Sequence, residues 1–176
     1  MPTQLPGAAS SFAVGYAPEK GQFRVYVMAL AALAALAGFI WWGNPIALVL
    51  AVFFGCASFY FFPLIETERA RIGAGELGIF IEGFGVIPWR AVGDIALRSY
   101  AVRTIINEEI QITLSRPLAQ SLVSDWRSLP YHRLLMRLPW SMTPDNVVHI
   151  RTEPFAGTAE GIHAHLQALW RRYRGY

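Results

Sequence analysis

Residues 25–65 read VYVMALAALAALAGFIWWGNPIALVLAVFFGCASFYFFPLI, a run without a charged side chain that is interrupted only by Gly43-Asn44-Pro45. An α-helix rises about 1.5 Å per residue, so roughly 20 apolar residues cross the hydrocarbon core of a bilayer, which is about 30 Å thick. The run therefore predicts two membrane-spanning helices, from about Phe23 to Trp42 and from Pro45 to about Phe62. Glycine and asparagine suit a tight turn, and proline suits the first position of a helix. We expect a transmembrane helical hairpin over residues 21–65.

Aromatic residues lie at both ends of the two predicted spans, as they do at the interfaces of a membrane. Trp41 and Trp42 lie at the turn, and the opposite end carries Phe23, Tyr26, Tyr60, Phe61 and Phe62. The alternative is a pair of buried helices in a soluble domain. Spans of membrane length with aromatic ends favour the membrane.

The distribution of charge predicts the orientation of the hairpin. The turn has no lysine or arginine, whereas Lys20 and Arg24 precede the first span and Arg69 and Arg71 follow the second. Positive residues favour the cytoplasmic side, so both termini are predicted to be cytoplasmic. Arginine replaces lysine everywhere except at Lys20, and alanine is abundant, which suggests a bacterial protein of the inner membrane.

Small residues recur every four positions on the first span. Ala31 and Ala35 form one such pair, and Ala34 and Gly38 form another. Small residues let a second helix approach closely in lipid. That helix is either the second span of the same hairpin or a separate partner. Neither span contains an ionisable residue, which disfavours a proton relay or an ion pathway.

The composition limits the remaining classes. The chain has 176 residues and a formal net charge of +3, with the basic residues scattered, so no nucleic-acid partner is predicted. Cys56 is the single cysteine, which excludes an intramolecular disulfide and a site of paired cysteine ligands. Residues 1–20 are rich in proline, glycine and small polar residues and are expected to form a disordered cytoplasmic tail. Residues 66–176 suffice for one cytoplasmic domain.

Short alternating segments follow Pro63. In the segment from Glu109 to Leu114, apolar residues alternate with polar ones, as in a sheet with one buried face. The stretch Glu66–Ile72 is predicted to lead from the membrane into a first strand, which a turn at Gly73–Glu76 closes. Further strands are predicted at Gly78–Glu82, Val86–Trp89, Ile95–Val102, Glu109–Leu114 and Val147–Thr152.

The C-terminal region predicts an amphipathic helix with Thr158 as its N-cap. One face carries the apolar residues Ile162, Leu166, Leu169, Trp170 and Tyr173, and His163, Gln167, Arg171 and Arg174 are expected to face away. Antiparallel strands followed by one such helix predict a small barrel that the helix closes.

The stretch GIFIEGFGVIPW from Gly78 to Trp89, followed by Val92 and Ile95, resembles the bacterial pleckstrin-homology-like (PH-like) domains. In that family a strand that begins with a Gly-Ile pair precedes a glycine-containing turn and an Ile-Pro-Trp triplet, and a two-helix membrane anchor often comes before the domain. Val147–Thr152 and Thr158–Tyr173 are similar to the family's last strand and C-terminal helix. The resemblance implies an α+β chain in which the hairpin precedes a PH-like antiparallel β-barrel or bent sheet with a C-terminal amphipathic helix.

The resemblance does not carry over a phosphoinositide site. Members of the wider fold that bind these lipids use basic residues around the first hairpin. The corresponding turn, Gly73–Glu76, has no basic residue and one acidic residue.

The segment from Pro117 to Asp145 departs from a minimal barrel. Tyr131, Leu134, Leu135 and Leu138 fall on one helical face, and Trp140 follows Pro139. One hypothesis places a basic amphipathic helix at the membrane surface. The other packs the segment across an open end of the barrel. Both hypotheses bury the leucines.

No catalytic signature occurs in the sequence. It contains no Gly-x-Ser-x-Gly, no phosphate-binding Gly-Lys-Ser/Thr loop and no His-Glu-x-x-His pair. His163 and His165 are two apart on a predicted helix and diverge by about 200°, so they cannot share a metal. Glu108 and Glu109 are expected to point apart on a strand. The chain is therefore predicted to be no enzyme and to need no cofactor or metal.

These patterns favour a membrane-anchored, non-enzymatic binding or scaffold module on the cytoplasmic face of the inner membrane, with a protein partner or self-association. Candidate contacts for a protein segment are the exposed sheet edge and the face near Trp89 and Arg90, although core packing also explains Trp89. The alternative is an accessory subunit of a larger membrane complex. Neighbouring subunits would then cover the alanine-rich helix face and the segment that contains Leu134, Arg137, Leu138 and Trp140.

Overall fold

The structure is a computed structural model that describes residues 11–102, 105–117, 121 and 131–175. Helices α1 (Pro18–Trp42) and α2 (Pro45–Phe61) form the predicted pair. Gly43 ends α1 in the left-handed conformation with φ 64°, and the Asn44 side chain accepts a hydrogen bond from the backbone N–H of Ile46 at 2.9 Å. The turn chemistry read from Gly43-Asn44-Pro45 is therefore confirmed.

Most apolar side chains of the two helices are exposed, because the rest of the protein does not cover them. No residue of α2 is buried, and Pro18–Trp42 and Pro45–Leu64 are both long and apolar enough to cross a membrane. The base of α1 is different, because Gly21 and Val25 are buried. A Cβ at Gly21 would lie 2.6 Å from the Cβ of Leu64, so glycine permits this close packing. The hairpin thus joins the core of the protein at its base.

Part of the predicted disordered tail is ordered. Strand β1 (Phe12–Val14) pairs with the strand that begins at Ile72, and Tyr16 and Ala17 are buried. The prediction of disorder is wrong for this part, because alternating apolar residues so close to the hairpin find a sheet edge to complete. Residues 1–10 of the predicted tail lie outside the described residues.

The first sheet has the order β1-β2-β3-β4 and is antiparallel, with β2 at Ile72–Gly75, β3 at Gly78–Ile81 and β4 at Gly85–Ile87. The predicted turn at Gly73–Glu76 is wrong, since most of it is strand β2. A Cβ at Gly73 would lie 2.8 Å from the carbonyl oxygen of Phe12. The glycine there serves the close approach of β1, and the turn falls at Glu76-Leu77.

The second sheet has the order β5-β6-β8-β7 and is also antiparallel. Its strands are β5 (Val92–Val102), β6 (Ile105–Leu114), β7 (Trp140–Met142) and β8 (Val147–Arg151). The alternation predicted for β6 is confirmed, because Ile110 and Ile112 are fully buried while Gln111 is half-buried. Short helix α3 (Tyr131–Leu134) precedes β7.

The two sheets do not close into a barrel in the part of the chain that the structure describes, so the predicted barrel is replaced by two separate sheets. Their apolar faces share one core with helix α4 (Ala159–Tyr173). Thr158 caps α4 as predicted, accepting a hydrogen bond from the N–H of Gly161 at 3.2 Å. Ile162 and Leu166 are buried on the predicted apolar face.

Two polar residues of α4 do not face away from the protein as predicted. The side chains of His163 and Gln167 each lie 3.2 Å from the carbonyl oxygen of Ile95 on β5. They satisfy a backbone acceptor at the sheet edge, which helical periodicity alone cannot show.

Candidate functional site at the junction of hairpin and sheets

A buried arginine marks the place where the helical hairpin meets the first sheet. The side chain of Arg71 is fully buried, and its guanidinium forms ion pairs with Glu66, at 2.8 Å, and with Glu82. The same group donates to the carbonyl oxygen of Pro63 at 3.0 Å. Arg71 therefore connects the end of the hairpin to the sheet.

Local structure explains this convergence. Ile72 of β2 pairs with Ile81 of β3, so Arg71 and Glu82 lie opposite each other one position beyond the ladder. The N–H of Glu82 donates to the carbonyl oxygen of Arg71 at 2.8 Å. Because Pro63 ends the hairpin only eight residues before Arg71, the returning chain brings the last helical turn against the same guanidinium.

The ionisation of the junction follows from these contacts. Burial alone would raise the pKa of Glu66, but hydrogen bonds from Arg71 and Arg133 lower it overall. Burial alone would lower the pKa of Arg71, but Glu82 and Glu66 raise it overall. The ring of Tyr16 lies below the Arg71 guanidinium, at 5.0 Å from centroid to Cζ, and burial raises the pKa of Tyr16 to about 12. At neutral pH the junction thus holds a charged Glu66 carboxylate and a charged Arg71 guanidinium beside the neutral Tyr16 phenol.

A second arginine completes this charged cluster. The Nη2 of Arg133 lies 3.2 Å from Glu66 and 3.4 Å from Glu82, so each carboxylate faces the guanidinium groups of both Arg71 and Arg133. Glu66 also lies 3.8 Å from the exposed Arg69. The four side chains Glu66, Arg71, Glu82 and Arg133 are hereafter called the junction cluster. Two positive and two negative charges balance within it, so a buried guanidinium is tolerated.

Arg137 makes a parallel set of contacts. Its backbone N–H donates to the carbonyl oxygen of Tyr60 in the last turn of α2 at 2.9 Å, and its guanidinium lies 3.4 Å from Glu153. Glu153 also pairs with Arg24 of α1 at 3.1 Å. The 131–138 segment is therefore held against the base of both helices, and its two arginines point inward.

The structure gathers part of the predicted contact set here. Trp140 donates from Nε1 to the carbonyl oxygen of Glu82 at 3.0 Å, and its ring meets Phe84 edge to face. Leu138 and Arg137 line a hollow of about 20 Å³ beside the junction cluster, which is space for about one water molecule. The side chain of Leu134 lies outside the described side chains.

Trp89 and Arg90 lie elsewhere, at the far end of β2 from Arg71. The Nε1 of Trp89 donates to the carbonyl oxygen of Gly75 at 2.8 Å, and its ring stacks on Tyr173 of α4. Trp89 is buried, so its position agrees with core packing, whereas Arg90 is exposed. A partner at this face would meet Arg90 and not the indole ring.

The four small residues of α1 differ in how far they are exposed. Gly38 is buried, and a Cβ there would lie 3.4 Å from the Trp42 ring and 3.9 Å from Ala47 of α2. Ala31 and Ala35 are half-buried, whereas Ala34 is exposed. Gly38 thus packs toward the second helix of the hairpin, and Ala34 is the member that a separate helix could contact.

A polar network lies on the outer face of the second sheet. His149 Nδ1 lies 2.8 Å from the Glu109 carboxylate, and Gln111 donates to the same carboxylate at 2.7 Å. His149 Nε2 lies 3.4 Å from the Thr143 hydroxyl. Burial alone would raise the pKa of Glu109, but hydrogen bonds from Gln111 and His149 lower it overall. This network links β6 to β8 on that face.

Among the described residues, no strand pairs with β5 on the side away from β6. The carbonyl oxygen of Glu108 points toward β8, where it accepts a hydrogen bond from Thr152. The backbone N–H and C=O of the next residue, Glu109, therefore point toward β5. Glu109 pairs with Arg98, which means that Leu97, Ser99 and, further along, Ala101 direct their backbone groups away from β6. Ser99 and Ala101 are exposed. These three positions are hereafter called the β5 edge.

Sequence reasoning missed the junction cluster and the Glu109–His149 pair. By sequence, Arg71 and Arg69 are both positive residues beside the membrane, and nothing local separates the buried arginine from the exposed one. An alternating strand with Glu109 and Gln111 on one face was a usable signal for a polar sheet face, but its partner His149 is 40 residues away. Among the described residues, no group of three or more His, Cys, Asp or Glu side chains could hold a metal ion.

Comparisons of the chain with protein-family models, with curated proteins and with solved structures found no match.

Proposed function

We propose that this protein is a membrane-anchored, non-enzymatic binding or scaffold module with a PH-like domain on the cytoplasmic face of a bacterial inner membrane. The observation that carries the proposal is the junction cluster, which fastens a mostly exposed apolar hairpin to the first sheet. A hairpin joined to its domain through a fully buried arginine is held in one orientation. Such a protein presents a chosen face of the domain at a constant height above the bilayer.

The PH-like assignment draws on the arrangement of elements as well as on the motifs. Among the described residues, seven strands in two antiparallel sheets follow the hairpin, and helix α4 comes after the last strand. Its apolar face packs in the core that both sheets share. Separate sheets around a common core fit the bent-sheet form of the fold that the resemblance implies.

The cytoplasmic orientation of both termini rests on the exposed positive residues. Arg71 is neutralised inside the protein and adds nothing to the charge that faces the headgroups. Lys20, Arg24 and Arg69 remain at the base of the hairpin, whereas the turn at Gly43-Asn44-Pro45 has no charge. The bias therefore keeps its predicted sign.

The β5 edge is the proposed binding site, and an extended segment of a partner protein is its proposed occupant. Unpaired backbone groups on an edge strand bind a partner strand through main-chain hydrogen bonds, while alternate side chains provide specificity. Ile95 at one end of this edge is already occupied by His163 and Gln167, which directs a partner strand toward Leu97, Ser99 and Ala101.

A proline at Ser99 tests this site. Proline removes the outward N–H without removing a ladder hydrogen bond to β6, a substitution that edge strands accept. The tagged full-length protein would be purified gently from its native membrane, and its partners would be cross-linked and identified by mass spectrometry. We expect Ser99→Pro to lose a soluble partner that the matched control Ser99→Thr retains. Equal recovery by both variants would exclude the β5 edge as the binding site.

The second candidate function is an accessory subunit of a larger membrane complex, and the exposure of Ala34 on α1 favours it. Leucine at Ala34 would block a separate helix, whereas leucine at Gly38 would disturb the hairpin itself. In this case Ala34→Leu should release a stoichiometric membrane partner while the protein keeps its melting temperature. If Ala34→Leu has no effect on such a partner, the helix face is not the contact.

A further inference from the structure

Two large apolar side chains of the 131–138 segment point away from the protein. Tyr131 is 88% exposed and Leu135 is 70% exposed. They are four residues apart, a spacing that places side chains on the same side of a helical turn. Met136 beside them is buried, so the segment has one side in the protein and one side outside it.

The inner side of the segment is anchored by its arginines. Arg133 pairs with the junction cluster, and Arg137 pairs with Glu153. These contacts neutralise the charges that a basic amphipathic helix would otherwise present to anionic lipid. The exposed side carries the large apolar side chains of Tyr131 and Leu135, together with His132.

The position of the segment is given by the hydrogen bond from the Arg137 N–H to the carbonyl oxygen of Tyr60 in the last turn of α2. Two residues span at most about 7 Å, so the Leu135 backbone lies within about 10 Å of that turn. Phe59, Tyr60 and Phe62 at the same end of α2 are themselves partly exposed. Leu135 thus extends an apolar surface that begins on the hairpin.

We propose that Tyr131 and Leu135 insert into the headgroup region of the cytoplasmic leaflet and form a second membrane contact of this protein. The proposal rests on the proposed membrane anchoring by the hairpin. Its occupant is the lipid surface, because the patch continues the hairpin at the level where the aromatic residues of α2 meet the interface. Since the arginines are paired inward, the contact does not depend on anionic lipid.

A fluorescent label at Leu135 tests the contact in the full-length chain. In a Cys56→Ser background, Leu135→Cys would be labelled with an environment-sensitive fluorophore and reconstituted into phosphatidylcholine vesicles. Leu77→Cys provides the matched control, because Leu77 is 83% exposed in the turn at the opposite end of β2 from Arg71. We expect a shallow spin-labelled lipid to quench the label at 135 by about half and to leave the label at 77 nearly unchanged.

Added phosphatidylglycerol should leave this quenching unchanged. A label at 135 that is quenched no more than the label at 77 overturns the proposal, and so does quenching that requires phosphatidylglycerol. Tyr131→Cys provides a second position on the same face if the change at 135 disturbs folding.

The natural Cys56 separates this proposal from the proposed anchor. Cys56 is exposed on α2, within the candidate span. If a label at Cys56 is quenched by lipid and the label at 135 is not, the second contact fails and the anchor stands. If lipid quenches neither label, the membrane anchoring itself is wrong.

Discussion

Replacing Arg71 with methionine removes the charged centre of the junction cluster while keeping an unbranched apolar stem of similar length. Glu66 and Glu82 then lose their most buried partner, and the carbonyl oxygen of Pro63 loses its donor. We expect the first sheet and the base of the hairpin to be held less tightly, with the fold retained.

The magnitude follows from the surroundings of each group. Removing one partner of a buried ion pair costs about 3–5 kcal/mol. Glu66 and Glu82 keep 30% and 23% of their side-chain surface exposed and also keep Arg133, which places the cost at the lower end. We therefore expect Arg71→Met to lower the free energy of unfolding by about 3 kcal/mol. For a chain of this size, that loss lowers the melting temperature by about 6–12 °C.

The measurement is thermal unfolding of the full chain in a mild detergent, followed by the strand signal in circular dichroism. Arg69→Met is the matched control, because Arg69 is 66% exposed and lies 3.8 Å from the same Glu66 carboxylate. An exposed pair of this kind contributes about 0.5 kcal/mol. If the two variants melt within about 2 °C of each other, the junction cluster does not hold the hairpin to the first sheet.

Three further predictions concern other parts of the fold. Gly78→Ala should destabilise the first sheet by about 3 kcal/mol in urea unfolding, because φ is 139° and the new Cβ would lie 2.0 Å from a β4 carbonyl oxygen. The control Gly157→Ala should cost only about 1 kcal/mol, because φ is 108° but the new Cβ would enter open space. The pKa of Glu66 is lower in the folded state than its unfolded value of about 4.5, so this carboxylate stabilises the folded state above about pH 4.5, and the stabilisation is lost as the pH falls through the folded-state pKa. Glu66→Gln should therefore make the melting temperature less dependent on pH in an acid titration. Trp89→Phe should cost about 1–2 kcal/mol in the same unfolding assay, because the half-buried carbonyl of Gly75 loses its donor. Arg90→Ala should change stability by less than about 0.5 kcal/mol, and equal effects would place Trp89 outside the core.

Much of the fold was accessible to sequence reasoning because it depends on local patterns. The hairpin turn, the alternation in β6, the N-cap at Thr158 and the buried face of α4 each follow from residues within one or two turns or strand pairs. The short strand β1 was missed, because three residues carry little periodicity and its pairing with β2 spans 60 positions of chain.

The candidate site was less accessible. Trp140, Arg137 and Leu138 were singled out for their residue types, and they do lie at the junction. The prediction that all the leucines of their segment are buried is not met within the protein, because Leu135 is exposed and the arginines take the inner side. Helical spacing groups side chains by face, but it cannot tell which face meets carboxylates contributed by distant strands.

The sequence by itself determined that two apolar helices of membrane length are joined by a tight turn and followed by antiparallel strands and one amphipathic helix. Composition and periodicity suffice for these elements, since each one is specified by the order of apolar and polar residues within its own segment. Only the tertiary structure decided that Arg71 is buried and Arg69 exposed. Within the described part of the chain, it also decided that the strands form two sheets instead of a closed barrel and that no strand pairs with the β5 edge. These outcomes depend on pairings between residues far apart in the chain, where the register of one strand against another determines which charges meet and which backbone groups remain free.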